Sequence, residues 1–509
     1  MATRSVIAVD LADVWEDTGR KQLLRTLAWG DEVMVKTVTD EQAEVEFTAF
    51  VAAADGSSLA ERKTGYIKPL KSAGIKAGEV VIKASANKVL RVNFVDVQQG
   101  DGAVIESPKG KLMLVDGGDN QMFARYLAGR YPGTSLAKPK VVDCILVTHG
   151  DADHFEGLVE IKKSETNATL RKRLFMQPLR VYHNGIVKRP STRDGKSVPD
   201  TELLGPTVKE GSKLYLNGLV DNLLKVPDTE MNKPFREWKA ALAEYHQRSP
   251  VEFRRLAFGD DEAFDFFNEA GVRIECLGPL VKKVGGKPAL PFLGEPPKGP
   301  RIGDEATSDK PLASKGKSAS HTINGHSIVF RLSYGGFSYL FCGDLNDESS
   351  RFLVQAQAEG HLDLRSEVFK VPHHGSADFS GAFIKAVEPV VSVVSSGDES
   401  ARKEYVHPRA TLMGALGRYS RVAEPLVFVT ELVAFFQMEG WSKLSDAAKA
   451  KTRGEFFGFS RAAYGIVKTR TDGQRLLVYT DSANLAMKEA YAFELDEAGA
   501  PRPAAVRRV

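Results

Sequence analysis

Apolar and polar residues alternate in short runs over the first 88 residues, as in Glu32-Val33-Met34-Val35-Lys36-Thr37-Val38 and Ala43-Glu44-Val45-Glu46-Phe47, with turn-like Asp-Glu and Asp-Gly pairs between them. Period-two alternation puts one face of each strand inward, and short strands punctuated by turns predict a small β-rich domain of SH3-like barrel type over residues 1–88. From Leu90 the apolar runs are denser, at residues 92–97, 103–106, 112–115 and 143–147, with Gly100-Asp101-Gly102 and Gly117-Gly118 as turns. A further strand pair, 327–334 and 337–341, is joined by Gly335-Gly336, and another strand follows at 368–371. These define a larger α/β domain over residues 89–484. Helix-period stretches at 235–245 and 262–269 set residues 185–270 apart as a helical insertion. Residues 281–320 interleave Pro288, Pro291, Pro296, Pro297, Pro300 and Pro311 with glycines and lysines, which predicts a flexible basic loop. Residues 485–509 form a C-terminal extension, and Pro501, Pro503, Arg507 and Arg508 predict a disordered tail.

A chain of 509 residues, 42% hydrophobic, has ample apolar surface for about two or three domains. The formal charge of +3 is too small to imply nucleic-acid binding by bulk charge, so an anionic substrate must be attracted locally. Lys162, Lys163, Arg171, Lys172, Arg173, Arg180, Lys188 and Arg189 are a basic run suited to tracking phosphates. Cys144, Cys276 and Cys342 lie far apart, two of them inside apolar runs, which favours reduced, packed thiols. The start has no apolar signal region and no run of about 18 apolar residues occurs, so a cytoplasmic protein with no membrane span is expected.

The chemistry concentrates at strand ends. The apolar run at 144–147 leads directly into Thr148-His149-Gly150-Asp151-Ala152-Asp153-His154-Phe155-Glu156-Gly157, four metal-ligand candidates aimed from one strand terminus. The strand at 337–341 ends in Cys342-Gly343-Asp344, and the strand at 368–371 ends in Pro372-His373-His374-Gly375-Ser376. Singly these are weak signals. Together, three strand ends deliver carboxylates and imidazoles to one edge if the strands are parallel neighbours.

This order of motifs resembles the metallo-β-lactamase fold, and more closely its ComEC-type branch of competence proteins. Residues 95–102 (Val-Asp-Val-Gln-Gln-Gly-Asp-Gly), Val115-Asp116-Gly117-Gly118 and His407-Pro408 are similar to further motifs of that branch. The resemblance runs from about residue 91 to 482, interrupted by the insertion and by a less familiar stretch at 431–459. It implies an αββα sandwich holding two divalent metal ions, Zn²⁺ or Mn²⁺ with Mg²⁺ also plausible. His149 and Asp151 would serve one ion, Asp153 and His154 the other, with Asp344 bridging and His373 or His374 completing the ligands of the second ion. His183 is the candidate for a further histidine ligand, ahead of His321 and His326. Asp116 would orient a ligand by hydrogen bonding, and Asn324 and Ser376 could hold a phosphate oxygen.

The implied activity is metal-dependent cleavage of phosphodiester bonds by hydroxide attack, as a nuclease on single-stranded DNA or RNA. Asp153, His374 and His407 are the candidate catalytic groups, the proton donor being His407 or whichever of His373 and His374 is not a ligand. The alternatives are hydrolysis of a small phosphoester or cyclic nucleotide, or a non-catalytic module that docks a protein partner through its N-terminal domain.

Overall fold

The computed structural model describes residues 2–52, 58–69, 74–269, 271–295, 316–397, 407–432, 462–463, 465–481 and 489–509. The N-terminal strands Thr3–Ile7, Leu11–Trp15, Leu23–Ala28, Glu32–Val38, Ala43–Ala52, Ser58–Ile67 and Val81–Lys83 pair into one seven-stranded antiparallel sheet. Its inward residues, among them Ile7, Val14, Val33, Val45, Phe47 and Ile67, form a separate core. Among the described residues the two outer strands, Leu23–Ala28 and Val81–Lys83, do not pair with each other.

Two larger sheets follow. The first has ten strands, in the spatial order Glu252–Arg255, Arg180–His183, Cys144–Leu146, Leu112–Asp116, Gly102–Glu106, Leu90–Phe94, Ile466–Thr471, Arg475–Asp481, Ala490–Leu495 and Pro501–Ala504. The second has six: Val272–Gly278, Val329–Tyr334, Phe337–Phe341, Val368–Lys370, Val391–Val394 and Leu426–Val429. Alternate residues of the two sheets meet in a central core: Val92, Phe94, Met113, Val115 and Leu146 pack against Phe330, Leu332, Tyr339, Phe341 and Val393.

Both sheets are covered on their outer faces, which explains why their strands are apolar on both sides. Leu112, Leu114, Ile145 and Val181 face the helices Met122–Arg130, Ala152–Ser164 and Lys233–Arg248. Val329, Leu340, Phe369 and Val394 face Asp347–Ala358, Gly381–Val387 and Ala410–Tyr419. The layers therefore run helix, sheet, sheet, helix, as expected. Leu112–Asp116, Cys144–Leu146, Arg180–His183 and Glu252–Arg255 are parallel neighbours. Phe337–Phe341, Val368–Lys370, Val391–Val394 and Leu426–Val429 are parallel too. The carboxyl ends of both sets are where the motif residues emerge.

Three expectations require correction. The insertion at 185–270 contains one α-helix, Lys233–Arg248, started by the Asn232 side chain on the Phe235 amide; the stretch at 262–269 makes only the 3₁₀ turn Asp261–Phe264. Short strand pairs, Thr192–Arg193 with Lys196–Ser197 and Thr207–Glu210 with Lys213–Leu216, three further 3₁₀ turns and the strand Glu252–Arg255 also lie within it. The predicted loop at 281–320 begins as the hairpin Lys282–Val284 with Lys287–Pro291 and ends in the helix Ala319–Gly325, while residues 296–315 lie outside the described residues. The stretch at 431–459 falls almost wholly outside them as well.

The C-terminal tail is ordered. Pro501–Ala504 adds an edge strand to Ala490–Leu495, where a missing N–H is tolerated. The Val509 amide donates to the Leu11 carbonyl at 3.0 Å, and the Asp13 amide donates to the Val509 carbonyl at 2.8 Å. Arg508 pairs with Asp13 at 3.1 Å, and Asp10 accepts from the Arg507 amide and from Arg475. Proline and arginine content was read as disorder, but these backbone and ionic partners tie the tail to the N-terminal sheet. Cys144, Cys276 and Cys342 are buried free thiols. Among the described residues no helix is long and apolar enough to cross a membrane.

Candidate metal centre

The first motif turns sharply off the strand Cys144–Leu146, and Asp116, at the end of the neighbouring strand, holds the turn. Asp116 accepts from the Thr148 amide at 2.8 Å, from the Thr148 hydroxyl at 2.7 Å, and faces His154 Nδ1 at 2.9 Å. Its φ of +56° is one that aspartate tolerates better than most residues. Two glycines are required by close approach as well as by positive φ. A Cβ at Gly343 (φ +49°) would meet Thr148 Oγ1 at 2.7 Å and Ser327 Oγ at 2.8 Å, and one at Gly100 (φ +100°) would meet the Asp153 carbonyl at 1.8 Å. The opening motif and the Asp344 turn are thus pressed directly against the His149–His154 segment.

Asp153, His154, Asp344 and His374 converge. His154 Nε2 lies 3.2 Å from Asp344 Oδ1 and 3.9 Å from Asp153 Oδ1. His374 Nε2 lies 3.3 Å from Asp344 Oδ2 and 3.4 Å from Asp153 Oδ2. His149 Nε2 stands 4.0 Å from Asp344 Oδ2. Asp153, His154 and His374 offer ligand atoms within 4.8 Å of one another, as do His149, His154 and Asp344. Gln99 steadies Asp153 by donating to Oδ2 at 3.0 Å.

Hydrogen bonds at the far side of each ring decide which nitrogen carries the proton. His154 Nδ1 faces the Asp116 carboxylate, and His374 Nδ1 faces the Ser395 carbonyl at 3.1 Å; both partners only accept, so each Nδ1 is protonated. His149 Nδ1 sits 3.3 Å from the hydroxyls of Thr148 and Ser327. Those hydroxyls have already spent their protons on Asp116 and on the Asn324 carbonyl, so they too accept. All three rings therefore turn an Nε2 lone pair toward carboxylate oxygens. The three Nε2 atoms and Asp344 Oδ1 are buried without a hydrogen-bond partner. Lone pairs facing anions in a buried site repel unless a proton or a cation lies between them. The donor set of imidazole nitrogens and aspartate oxygens fits a divalent ion such as Zn²⁺ or Mn²⁺.

The electrostatics point the same way. Burial and the neighbouring His154 push His149 down to about 4. Burial also opposes charge on His154 and His374, yet Asp344, with Asp116 for one and Asp101 for the other, raises both well above the usual histidine range. Burial disfavours the Asp344 carboxylate, but His374 and His154 hold it far below its ordinary value. The pocket is built to hold positive charge among aspartates.

Other candidates fall elsewhere. Both oxygens of Asp151 are engaged, Oδ1 by Lys188 Nζ at 2.9 Å and Oδ2 by the Asn324 side-chain amide at 2.8 Å, its oxygen and nitrogen being assigned by the acceptors and donors around them. Asn324, read as a phosphate holder, thus faces Asp151. His183 is not among the clustered groups: its buried Nδ1 accepts from the Gly185 amide at 3.0 Å, which leaves the proton on Nε2 and no lone pair for an ion. His326 bonds the Pro291 carbonyl at 2.7 Å, and His321 Nδ1 lies 3.3 Å from Asp378.

His373 differs from His374. Ser376 Oγ accepts from the Asp378 amide at 3.0 Å, so its own proton is free for His373 Nδ1 at 3.2 Å. His373 Nε2 stands 3.9 Å from Asp344. The His407 ring lies 6.4 Å from that of His373, and burial followed by His374 and His373 lowers it to about 3.

Sequence reasoning missed Lys370, and it placed Asp101 only in a turn motif and Lys188 only in a basic run. Lys370 Nζ pairs with Asp101 at 2.7 Å beneath the centre, and Asp101 approaches His374 Nδ1 at 3.4 Å. A charged residue inside an apolar strand was the available signal for Lys370. Of the basic run, Lys162, Lys163, Arg180, Lys188 and Arg189 pair with carboxylates of the chain itself.

Residues 95–219 match the family model of the Metallo-beta-lactamase superfamily. Over 98 residues, 19% of this chain and 12% of the relative, it is 30% identical to "ComE operon protein 3" of Bacillus subtilis (strain 168). Over 86 residues, 17% of this chain and 12% of the relative, it is 40% identical to "Competence protein ComA" of Neisseria gonorrhoeae. The matched segments are thus a small part of both relatives.

Proposed function

We propose that this metallo-β-lactamase superfamily hydrolase cleaves phosphodiester bonds, as a nuclease on single-stranded DNA or RNA. The observation that carries the reading is the convergence of three imidazole Nε2 atoms, buried without a hydrogen-bond partner, on the oxygens of Asp344 and Asp153. Asp153, His154, His374 and Asp344 would hold a divalent ion, with His149 beside them. Once bound there, the ion supplies Lewis-acid charge to a phosphoryl oxygen.

The chain's own groups do the rest. Asp116 and the Ser395 carbonyl fix the tautomers of His154 and His374, which keeps their Nε2 lone pairs available. His373, about a quarter exposed and held at Nδ1 by Ser376, is the group placed to pass a proton to a leaving oxygen. Ser376 acts by orienting this ring.

The nucleic-acid substrate rests on the resemblance to competence proteins. The pairing of five of the eight basic-run residues with internal carboxylates favours, as a second reading, a small phosphoester or cyclic nucleotide. The test is to assay purified protein with Mn²⁺ or Zn²⁺ on single-stranded DNA, RNA and a generic phosphodiester, with Asp344→Ala as the blank. Strand cleavage that falls steeply with salt supports the nuclease; a salt-insensitive rate confined to small esters supports the second reading; no activity beyond the blank on any substrate overturns both.

A further inference from the structure

We propose that the Lys188 ammonium takes the place of the first of the two expected metal ions, so that the centre holds a single divalent ion in the Asp153, His154, His374 and Asp344 set. This rests on the hydrolase reading and concerns how many ions that site takes. Asp151 is the residue that decides the matter. It stands two positions after His149 and would be needed to complete a first-ion site, yet neither oxygen is turned to the cluster without an N–H donor on it. Without Asp151, His149 is, among the described residues, the only ligand that the first site would not share with the second, too few where a catalytic site takes three protein ligands.

The lysine is held in place by its surroundings. It lies in the loop after Arg180–His183, the strand that runs parallel beside Cys144–Leu146, so it reaches the centre from the adjacent strand end. Ile186 and Val187, just before it, are buried in two different apolar clusters. The Lys188 carbonyl accepts from the Asn232 amide at 2.9 Å, which ties the loop to the start of helix Lys233–Arg248. His183, the imidazole expected from this strand end, is instead turned onto its own loop at Gly185.

An ammonium is a compact charge with three N–H donors. One is spent on Asp151, and the side chain is 30% exposed, which leaves the others for solvent or a substrate oxygen. A non-bridging phosphate oxygen would meet +1 there, from a group that needs no metal supply.

Metal content of the full-length protein tests this, measured by elemental analysis and by titration with Mn²⁺ and separately with Zn²⁺. The expected count is one ion per chain, unchanged in Lys188→Arg and rising to two in Lys188→Met, where Asp151 is released. Two ions in the unsubstituted protein overturn the proposal and leave the hydrolase reading standing. One ion in both the unsubstituted protein and Lys188→Met overturns the role given to Lys188. No ion in any of them overturns the hydrolase reading, and this proposal with it. Circular dichroism of each variant shows whether it is folded, and the count on the unsubstituted protein decides the first point even if Lys188→Met is not.

Discussion

Replacing Asp116 by asparagine removes one oxygen from the carboxylate that accepts three bonds, at 2.8, 2.7 and 2.9 Å, and keeps the shape of the side chain. Asparagine also tolerates the +56° φ, so backbone strain does not confound the result. The less costly rotamer keeps its oxygen on His154 and the Thr148 hydroxyl and turns its NH₂ against the Thr148 amide. One buried donor is then left facing another, at a cost of about 1–3 kcal/mol of apo stability. The bond to His154 loses its charge, which weakens the hold on the tautomer that exposes Nε2. Loss of such an orienting group typically weakens metal affinity about 10- to 100-fold, or about 1.4–2.8 kcal/mol. Competition titration with a chelating dye measures the affinity, and urea denaturation of the apo protein measures the stability. An Asp116→Asn protein that binds Mn²⁺ or Zn²⁺ as tightly as the original would refute the orienting role. One that binds no metal at all would make Asp116 a ligand instead.

Glu106 is buried against Arg130 and Arg91. Burial alone would raise its carboxyl, but the two guanidinium groups hold it well below the usual range. Its contribution to stability is therefore fully present above the ordinary carboxylate value of about 4 and is lost as pH falls further, toward the folded value. Glu106→Gln should lower stability at neutral pH and flatten this acid limb; an unchanged limb contradicts the assignment. Gly100→Ala would force a Cβ to within 1.8 Å of the Asp153 carbonyl, so the loop must shift, with a loss of roughly 1–3 kcal/mol and weaker metal binding; a variant equal to the original in both argues against the close approach. Deleting residues 507–509 removes the backbone bonds to Leu11 and Asp13. Limited proteolysis should then cut the N-terminal sheet faster, and an unchanged rate would show that the tail is not its anchor.

The parts of the fold legible in the sequence were those encoded locally. Short apolar runs followed directly by His149–His154, by Asp344 and by His373–His374 mark parallel strand ends, because chemistry placed immediately after a buried strand has few other places to go. The partners of those residues were not legible. Lys188 meets Asp151 across 37 positions, and Lys370 reaches Asp101 from an adjoining sheet, so neither pairing leaves a pattern in spacing. The choice between His373 and His374 likewise depends on what lies behind each ring, a hydroxyl for one and a carbonyl for the other. His183 looked suitable at its strand end, but a backbone amide two residues on captures the ring. The tail was misjudged because composition reports the tendency of a free chain, whereas Pro501–Ala504 lies on an edge that supplies its hydrogen bonds.

Crystals soaked in Mn²⁺ or Zn²⁺ and measured at the absorption edge of the metal give the most direct test. The account expects an anomalous peak bounded by His154 Nε2, His374 Nε2, Asp153 and Asp344. Full occupancy of the soak with no peak at that point, or a peak only at some other group of side chains, contradicts it.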